Sequence, residues 1–303
     1  MSGITLLDGG MGSELRARGF EVPDHIRSIW SAKALMDAPE AIVQIHRDYI
    51  DAGAEVITAN NYMVTPPLLA REGLADRFEE LTLRSLELAQ QARDASGRAV
   101  RVAGSLPPLR TSYRANEVGD DEAILADYRR IAEILAPKVD IALCETLSSA
   151  REARAAVTAA TEAGTEVWLS WTLQGDRIDR LPSGETVAQA HAAVEDFDVR
   201  AFLFNCCGAN FVTSALAILR KLTDAPIGGY ANSANVIEAE ASAPIPQPEQ
   251  LQREVLDIDG YALAVTQWMD AGATLVGGCC STRPAHIARL RALIDARIGA
   301  RAE

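Results

Sequence analysis

The sequence predicts an α/β fold, a (β/α)8 TIM barrel organised as a single domain over residues 1–303. Three observations predict it. Short β-rich runs alternate with amphipathic helical stretches throughout the chain. Several of those runs are near-continuously apolar, as strands buried on both faces of a parallel sheet are. A similar tetrapeptide precedes three of the strands: Asp51-Ala-Gly-Ala54, Glu162-Ala-Gly-Thr165 and Asp270-Ala-Gly-Ala273. In each, glycine supplies the left-handed conformation that ends a helix before a strand begins. Eight strands with intervening helices fit a closed barrel better than an open doubly wound sheet, the alternative that periodicity alone leaves standing.

The eight strand runs are Ile4–Asp8, Glu55–Asn60, Val100–Ser105, Val139–Glu145, Glu166–Thr172, Ala201–Cys206, Pro226–Asn232 and Ala273–Cys279. Between them, Ala38–Asp51 places Ile42, Ile45, Tyr49 and Ile50 on one face, with Asp37 as N-cap and Pro39 in the first turn. Asp76 caps a helix running through Ala92. Further helices fit Asp121–Leu135, Ser149–Ala163, Glu185–Val194, Val212–Leu222, Tyr261–Ala271 and Pro284–Ile298. The stretch at about 234–257, rich in Pro, Glu and Ala, reads as a long surface excursion and not a second domain.

Composition narrows the function. The hydrophobic share of 48% supports a large core, and the net charge of −13 argues against nucleic acid and anionic membranes as partners. Met1–Gly3 leads straight into a strand-like run, with no signal-peptide pattern, and no apolar stretch approaches a membrane span. A reducing cytoplasm is the expected setting. Five cysteines, odd in number and mostly side by side, suit metal binding or catalysis better than a disulfide framework.

In a barrel, chemistry sits at the C-terminal ends of the strands. Those ends carry Asp8, Asn60, Ser105, Glu145, Thr172, Cys206, Asn232 and the Cys279–Cys280 pair. Cys144 lies within a strand and reads as core. Cys206 and Cys207 are adjacent on an extended segment, so one faces the site while the other packs. Cys279 and Cys280 lie at a strand–loop junction, where alternation can break and both sulfurs can reach one ion. A three-thiolate site leaves a fourth position open, the mark of a catalytic zinc. The histidines show no HxH or HExxH spacing: His46 and His191 read as helix-surface or interface residues, His25 as a loop residue, and His286 as a partner for local backbone rather than a metal ligand. Asp8-Gly9-Gly10-Met11-Gly12 is not a dinucleotide fingerprint, and its carboxylate would repel phosphate. A carboxylate beside close backbone N–H groups suits a zwitterion, Asp8 for the ammonium and the amides for a carboxylate; Glu145 could share the ammonium.

With these pieces in place, the sequence resembles the homocysteine S-methyltransferase family. The motifs are LLDGGMGSEL at 6–15, ITANNY at 57–62, CETLSSAREA at 144–153, FNCC at 204–207 and GGCCSTRPAHI at 277–287, in family order over almost the full chain. The resemblance implies a (β/α)8 barrel with a Zn2+ cofactor held by Cys206, Cys279 and Cys280, and it alone chooses Cys206 over Cys207. It implies methyl transfer from a small sulfonium or quaternary ammonium donor to the thiol of L-homocysteine, forming methionine. Asp8, Gly9, Gly10 and Glu145 match amino-acid-binding positions, and Asn60 and Tyr62 are further substrate-binding candidates. A free thiol, with a pKa of roughly 8.5, is only a few per cent ionised at neutral pH. Zinc ligation would make it a thiolate, a gain on the order of 2 kcal/mol, so no general base is required beyond zinc activation. The sequence departs from common members at Asn61 and Met63 and over 104–116, where the GPxG form is missing. Tyr62 and Tyr113 are cation–π candidates for an onium methyl group. S-methylmethionine, S-adenosylmethionine, betaine and dimethylsulfoniopropionate all remain open as donors, as does the oligomeric state. No cobalamin-binding module is expected. The competing readings are another thiol or selenol acceptor, or a non-catalytic zinc-stabilised binding protein.

Overall fold

The computed structural model describes residues 3–23, 28–174, 179–238 and 252–299. Its strands are β1 (Thr5–Leu6), β2 (Val56–Thr58), β3 (Arg101–Leu106), β4 (Ile141–Leu147), β5 (Val167–Trp171), β6 (Val199–Gly208), β7 (Ile227–Asn232), β8 (Ala234–Glu238), β9 (Gln252–Val255) and β10 (Leu275–Val276). Eight form one sheet in the order β1-β10-β7-β6-β5-β4-β3-β2, with its neighbours parallel. A parallel bridge from Leu7 to Val56 joins its two edges, so the sheet closes on itself as the sequence predicts. Each predicted strand run overlaps one of these eight strands, with β3, β4 and β6 running past the predicted ends.

The helices are α1 (Met11–Ala17), α2 (Ala34–Asp37), α3 (Pro39–Asp51), α4 (Pro66–Arg71), α5 (Phe78–Ser96), α6 (Asp121–Leu135), α7 (Ala150–Glu162), α8 (Val187–Ala192), α9 (Ala209–Leu219), α10 (Ile258–Asp270) and α11 (Pro284–Gly299). The apolar face expected of α3 is buried at Ile42, Ile45, Tyr49 and Ile50. Gly53, Gly164 and Gly272 have positive φ, as their helix-ending role requires. Two expected caps do not form. Asp37 ends α2, and Ala38 occupies the N-cap position of α3 without a side-chain bond. Asp76 lies in a 3-10 turn, Ala75–Arg77, and α5 begins at Phe78. The short α1, α2 and α4 escape periodicity because each is too brief to present a repeating stripe.

Side chains on alternate positions of the barrel strands fill two separate cores. Leu7, Val56, Ala103, Ile141, Leu143, Trp168, Ala201, Leu203, Tyr230 and Leu275 fill the barrel interior. A larger shell, including Leu6, Ile57, Val102, Leu169 and Phe204, packs between the sheet and the helices. Each fully buried Leu, Ile or Val stabilises the fold by about 1.5–3 kcal/mol. His46, expected at a surface or interface, is fully buried on α3.

After β7 the chain forms an antiparallel ribbon of β8 and β9. Residues 239–251 of the proposed excursion lie outside the described residues. The ribbon is anchored where Asn210 Nδ2 donates to the Val236 carbonyl (2.9 Å) and Asn210 Oδ1 accepts from the Val236 N–H (3.1 Å). Asp257, included in that excursion, is instead the N-cap of α10.

Candidate active site

At the C-terminal ends of the strands lies a cavity of about 950 Å3. Cys206, Cys279 and Cys280 line it, with sulfurs within 4.8 Å of one another, a group that could hold a metal ion. Three thiols without a carboxylate form a soft donor set of the kind that suits zinc. Hydrogen bonds from Cys206 and Cys280, together with burial, push the Cys279 thiol well above its usual range. A metal ion bound here would therefore displace protons.

Local structure explains the convergence. On β6 the register slips between Asn205 and Gly208 relative to β7, and Cys206 takes φ +54. This bulge breaks the alternation of the strand. Cys206 faces the cavity while Cys207 packs in the outer core, where burial pushes its thiol up to about 12. Cys144 is also in that core. The other two thiols sit on a turn in which Thr282 Oγ1 donates to the Cys279 carbonyl (2.7 Å) and Ser281 takes φ +65. Strand β7 holds this turn at two consecutive residues. The Cys279 N–H donates to the Ala231 carbonyl (2.8 Å), and the Cys280 N–H donates to Asn232 Oδ1 (3.1 Å).

The loop after β1 docks directly on the same turn. A Cβ at Gly10 would come 2.5 Å from the Cys279 carbonyl oxygen, and one at Gly9 2.8 Å from Thr282 Oγ1. Asp8, Gly9 and Gly10 all line the cavity, as do Asn60, Tyr62 and Glu145. Asp8 Oδ2 accepts from the Thr58 N–H (2.8 Å), while Oδ1 has only a 3.5 Å contact with Thr58 Oγ1. Glu145 accepts from Ser105 Oγ (2.6 Å) and the Tyr230 hydroxyl (3.1 Å). Burial raises Asp8 to about 8, against the opposing Thr58 N–H bond, and Glu145 adds to the rise. Burial likewise raises Glu145 to about 7. Two desolvated carboxyls lining one cavity favour a cationic guest.

The Homocysteine S-methyltransferase family profile matches residues 5–294. The chain belongs to the homocysteine S-methyltransferase family. It is 34% identical to the homocysteine S-methyltransferase of Escherichia coli K12, over 95% of this chain and 94% of that one. It is 29% identical to a selenocysteine methyltransferase of Astragalus bisulcatus, over 92% of this chain and 89% of the relative. The solved structure of the E. coli homocysteine methyltransferase MmuM in its metallated form superposes with a TM-score of 0.80 at 34% identity, covering 96% of each chain.

Other residues of this family member complete the cavity. Asn60 Nδ2 is engaged with the Ser31 carbonyl (2.9 Å), which ties β2 to the segment before α2. Asn61 exchanges two hydrogen bonds with the Ser105 backbone and is fully buried, so its departure from the common family motif is internal bracing. The Tyr62 hydroxyl pairs with Ser112 Oγ (2.9 Å). Tyr113 adopts φ +69, and burial with the facing Cys206 and Cys280 thiols holds its phenol well above the usual range. Sequence reasoning missed Trp30, Tyr230, Arg16, Arg114, Arg253 and Arg283 as lining residues. Tyr230 carried a readable signal, since it lies within a predicted strand next to its polar end. Arg283 lies inside the GGCCSTRPAHI motif, but its bond to the buried Glu14 (2.7 Å) spans 269 positions and is not readable from that motif. His286 Nδ1 accepts from the Arg283 N–H (3.2 Å), the local backbone role expected of it. His191 packs on Phe202 with ring centroids 5.0 Å apart, and His25 lies outside the described residues.

Proposed function

We propose that this protein transfers a methyl group from a sulfonium or quaternary ammonium donor to the thiol of L-homocysteine, forming methionine, with Zn2+ held by Cys206, Cys279 and Cys280. The observation that carries this reading is the presence of three converging thiols and two buried carboxyls, Asp8 and Glu145, on one cavity. A thiol binder needs the first and an amino-acid binder needs the second. In this reading residues 1–303 act as one homocysteine-binding barrel, and a reducing cytoplasm keeps the thiols available.

Bound zinc would supply Lewis acidity that favours the thiolate form of the acceptor. The protein's own residues orient the reactants. Asp8 and Glu145 accept hydrogen bonds from the homocysteine ammonium, and the close backbone at Gly9 and Gly10 receives its carboxylate. This fixes the acceptor sulfur toward the centre of the thiol group. Tyr62 and Tyr113 present aromatic faces to the positive onium group and orient one methyl in line with that sulfur. A sulfur lone pair forms the new S–CH3 bond as the donor's C–S or C–N bond breaks. The released electron pair neutralises the donor heteroatom, and the acceptor's thiol proton passes to solvent.

Methionine formation across a panel of onium donors tests the reading, with Cys206→Ala, Cys279→Ala and Cys280→Ala assayed for zinc content. Each substitution should lower activity at least 100-fold and reduce bound zinc. Full activity and stoichiometric zinc in all three would overturn the reading. A selenol acceptor is a second reading, favoured by the similarity to a selenocysteine methyltransferase. Competition between homocysteine and selenocysteine for one donor separates the two.

A further inference from the structure

Two functional side chains flank β5, and each is presented from a distorted strand. Between Cys144 and Leu147, β4 advances three positions against two on β5; between Asn205 and Gly208, β6 does the same against β7. Within these bulges Thr146 takes φ +60 and Cys206 takes φ +54. Such conformations are costly for a β-branched residue or a cysteine, and they persist where the surroundings over-determine them. Bulges re-aim side chains, and here Glu145 and Cys206 reach the same cavity.

One fully buried side chain spans both bulges. Asn205 directly precedes Cys206, and its Oδ1 accepts from the Thr146 N–H (2.8 Å) and from Ser170 Oγ on β5 (2.7 Å). Its Nδ2 donates to Thr146 Oγ1 (2.7 Å). The amide thus fastens both the backbone and the side chain of Thr146, next to Glu145. Aspartate could accept but could not donate, and alanine could do neither.

We propose that Asn205 is a positioning residue that locks the β4 and β6 bulges together, so that the Glu145 carboxyl and the Cys206 sulfur keep one fixed relation across β5. The consequence is a coupling between recognition of the acceptor's amino group and geometry at the thiol group. This rests on the homocysteine reading for its substrate comparison, but not for its metal measurement.

The test uses the full-length protein and the variants Asn205→Ala, Thr146→Val and Thr146→Ser. Two quantities are measured: the kcat/KM ratio for homocysteine over 4-mercaptobutanoate, which lacks only the amino group, and zinc affinity in competition with a chromogenic chelator. Asn205→Ala should lower the ratio and the zinc affinity at least tenfold each. Thr146→Val should lower the ratio at least tenfold and bind zinc at least threefold more weakly than Thr146→Ser, which keeps the hydroxyl and wild-type behaviour. Equal slowing of both acceptors, or zinc affinity unchanged in Asn205→Ala, would overturn the proposal and leave Asn205 a merely structural residue. If Asn205→Ala does not fold, Thr146→Val against Thr146→Ser decides by the same two readouts. If the wild-type protein methylates neither thiol, the homocysteine reading fails on its own. The zinc affinities of the Thr146 pair then decide the proposal, equal values overturning it.

Discussion

At Asp8 and Glu145 burial decides the charge of the free protein. Their folded values, about 8 and about 7, lie above the roughly 4 of an unfolded carboxyl. The native state therefore holds more protons than the unfolded chain between those limits. The stability these groups contribute is complete below about pH 4 and is lost as pH rises through 7–8. Without substrate, melting temperature should fall between pH 5 and pH 8 more steeply in the wild type than in Asp8→Asn, as differential scanning fluorimetry will show. An ammonium ligand reverses the preference, because it pairs with the ionised carboxyls. Inhibition by methionine, which has no titrating thiol, should strengthen from pH 6 to pH 8.5 in the wild type and flatten in Asp8→Asn or Glu145→Gln; a flat wild-type profile would contradict the assignment. Gly10 offers another single-residue test. A Cβ there meets the Cys279 carbonyl, a backbone atom that cannot swing away, so Gly10→Ala should cost about 1–3 kcal/mol and lower zinc content along with methyl transfer. Asp8, Gly10 and Glu145 were legible in the sequence because polar or glycine residues at strand ends are local features. Their protonation was not, since it depends on what other strands place around them.

Elements differ in how far local sequence specifies them. The limits of α6 agree with expectation because Asp120 accepts from the Ala123 N–H (2.9 Å) at a well-marked N-cap. Asp120→Ala should lower stability by about 1 kcal/mol, a melting shift of about 2 °C, with kcat/KM unchanged. The α3 cap was misjudged because Asp37 is absorbed into α2, where it pairs with Lys33. Elsewhere tertiary contact dominates. The Tyr49 hydroxyl, from α3, shares its hydrogen between the Thr282 carbonyl (3.1 Å) and the Gly10 carbonyl (3.3 Å), bracing the loop after β1 against the thiol turn. Tyr49→Phe removes only that brace and should cost about 1 kcal/mol, raising KM for homocysteine more than it lowers kcat. Periodicity identified Tyr49 as a core residue and could not reveal its hydroxyl partners, one of which lies 233 positions away.

For the whole molecule, the thiol group sits above a barrel whose two apolar cores are built from other side chains, with Cys279 packed against the inner one. Removing zinc with a chelator should abolish methyl transfer while leaving the far-ultraviolet circular dichroism intact. Restoring zinc at about 1,000 times its Kd should raise stability by about 4 kcal/mol, measured as a higher melting temperature; loss of helical signal on chelation would contradict this. Among the described residues no helix is long and apolar enough to cross a membrane. Residue type and spacing alone were enough for the order of the eight barrel strands and the longer helices between them, the polar strand ends, and the motifs of the homocysteine S-methyltransferase family. These follow from residue type and short spacing, which act within a few residues. Folding added the closure through Leu7 and Val56, the two bulges that turn Glu145 and Cys206 toward one cavity, and the burial that raises Asp8 and Glu145. Register, bulge geometry and desolvation are set by neighbours on other strands, and those neighbours exist only once the barrel has closed.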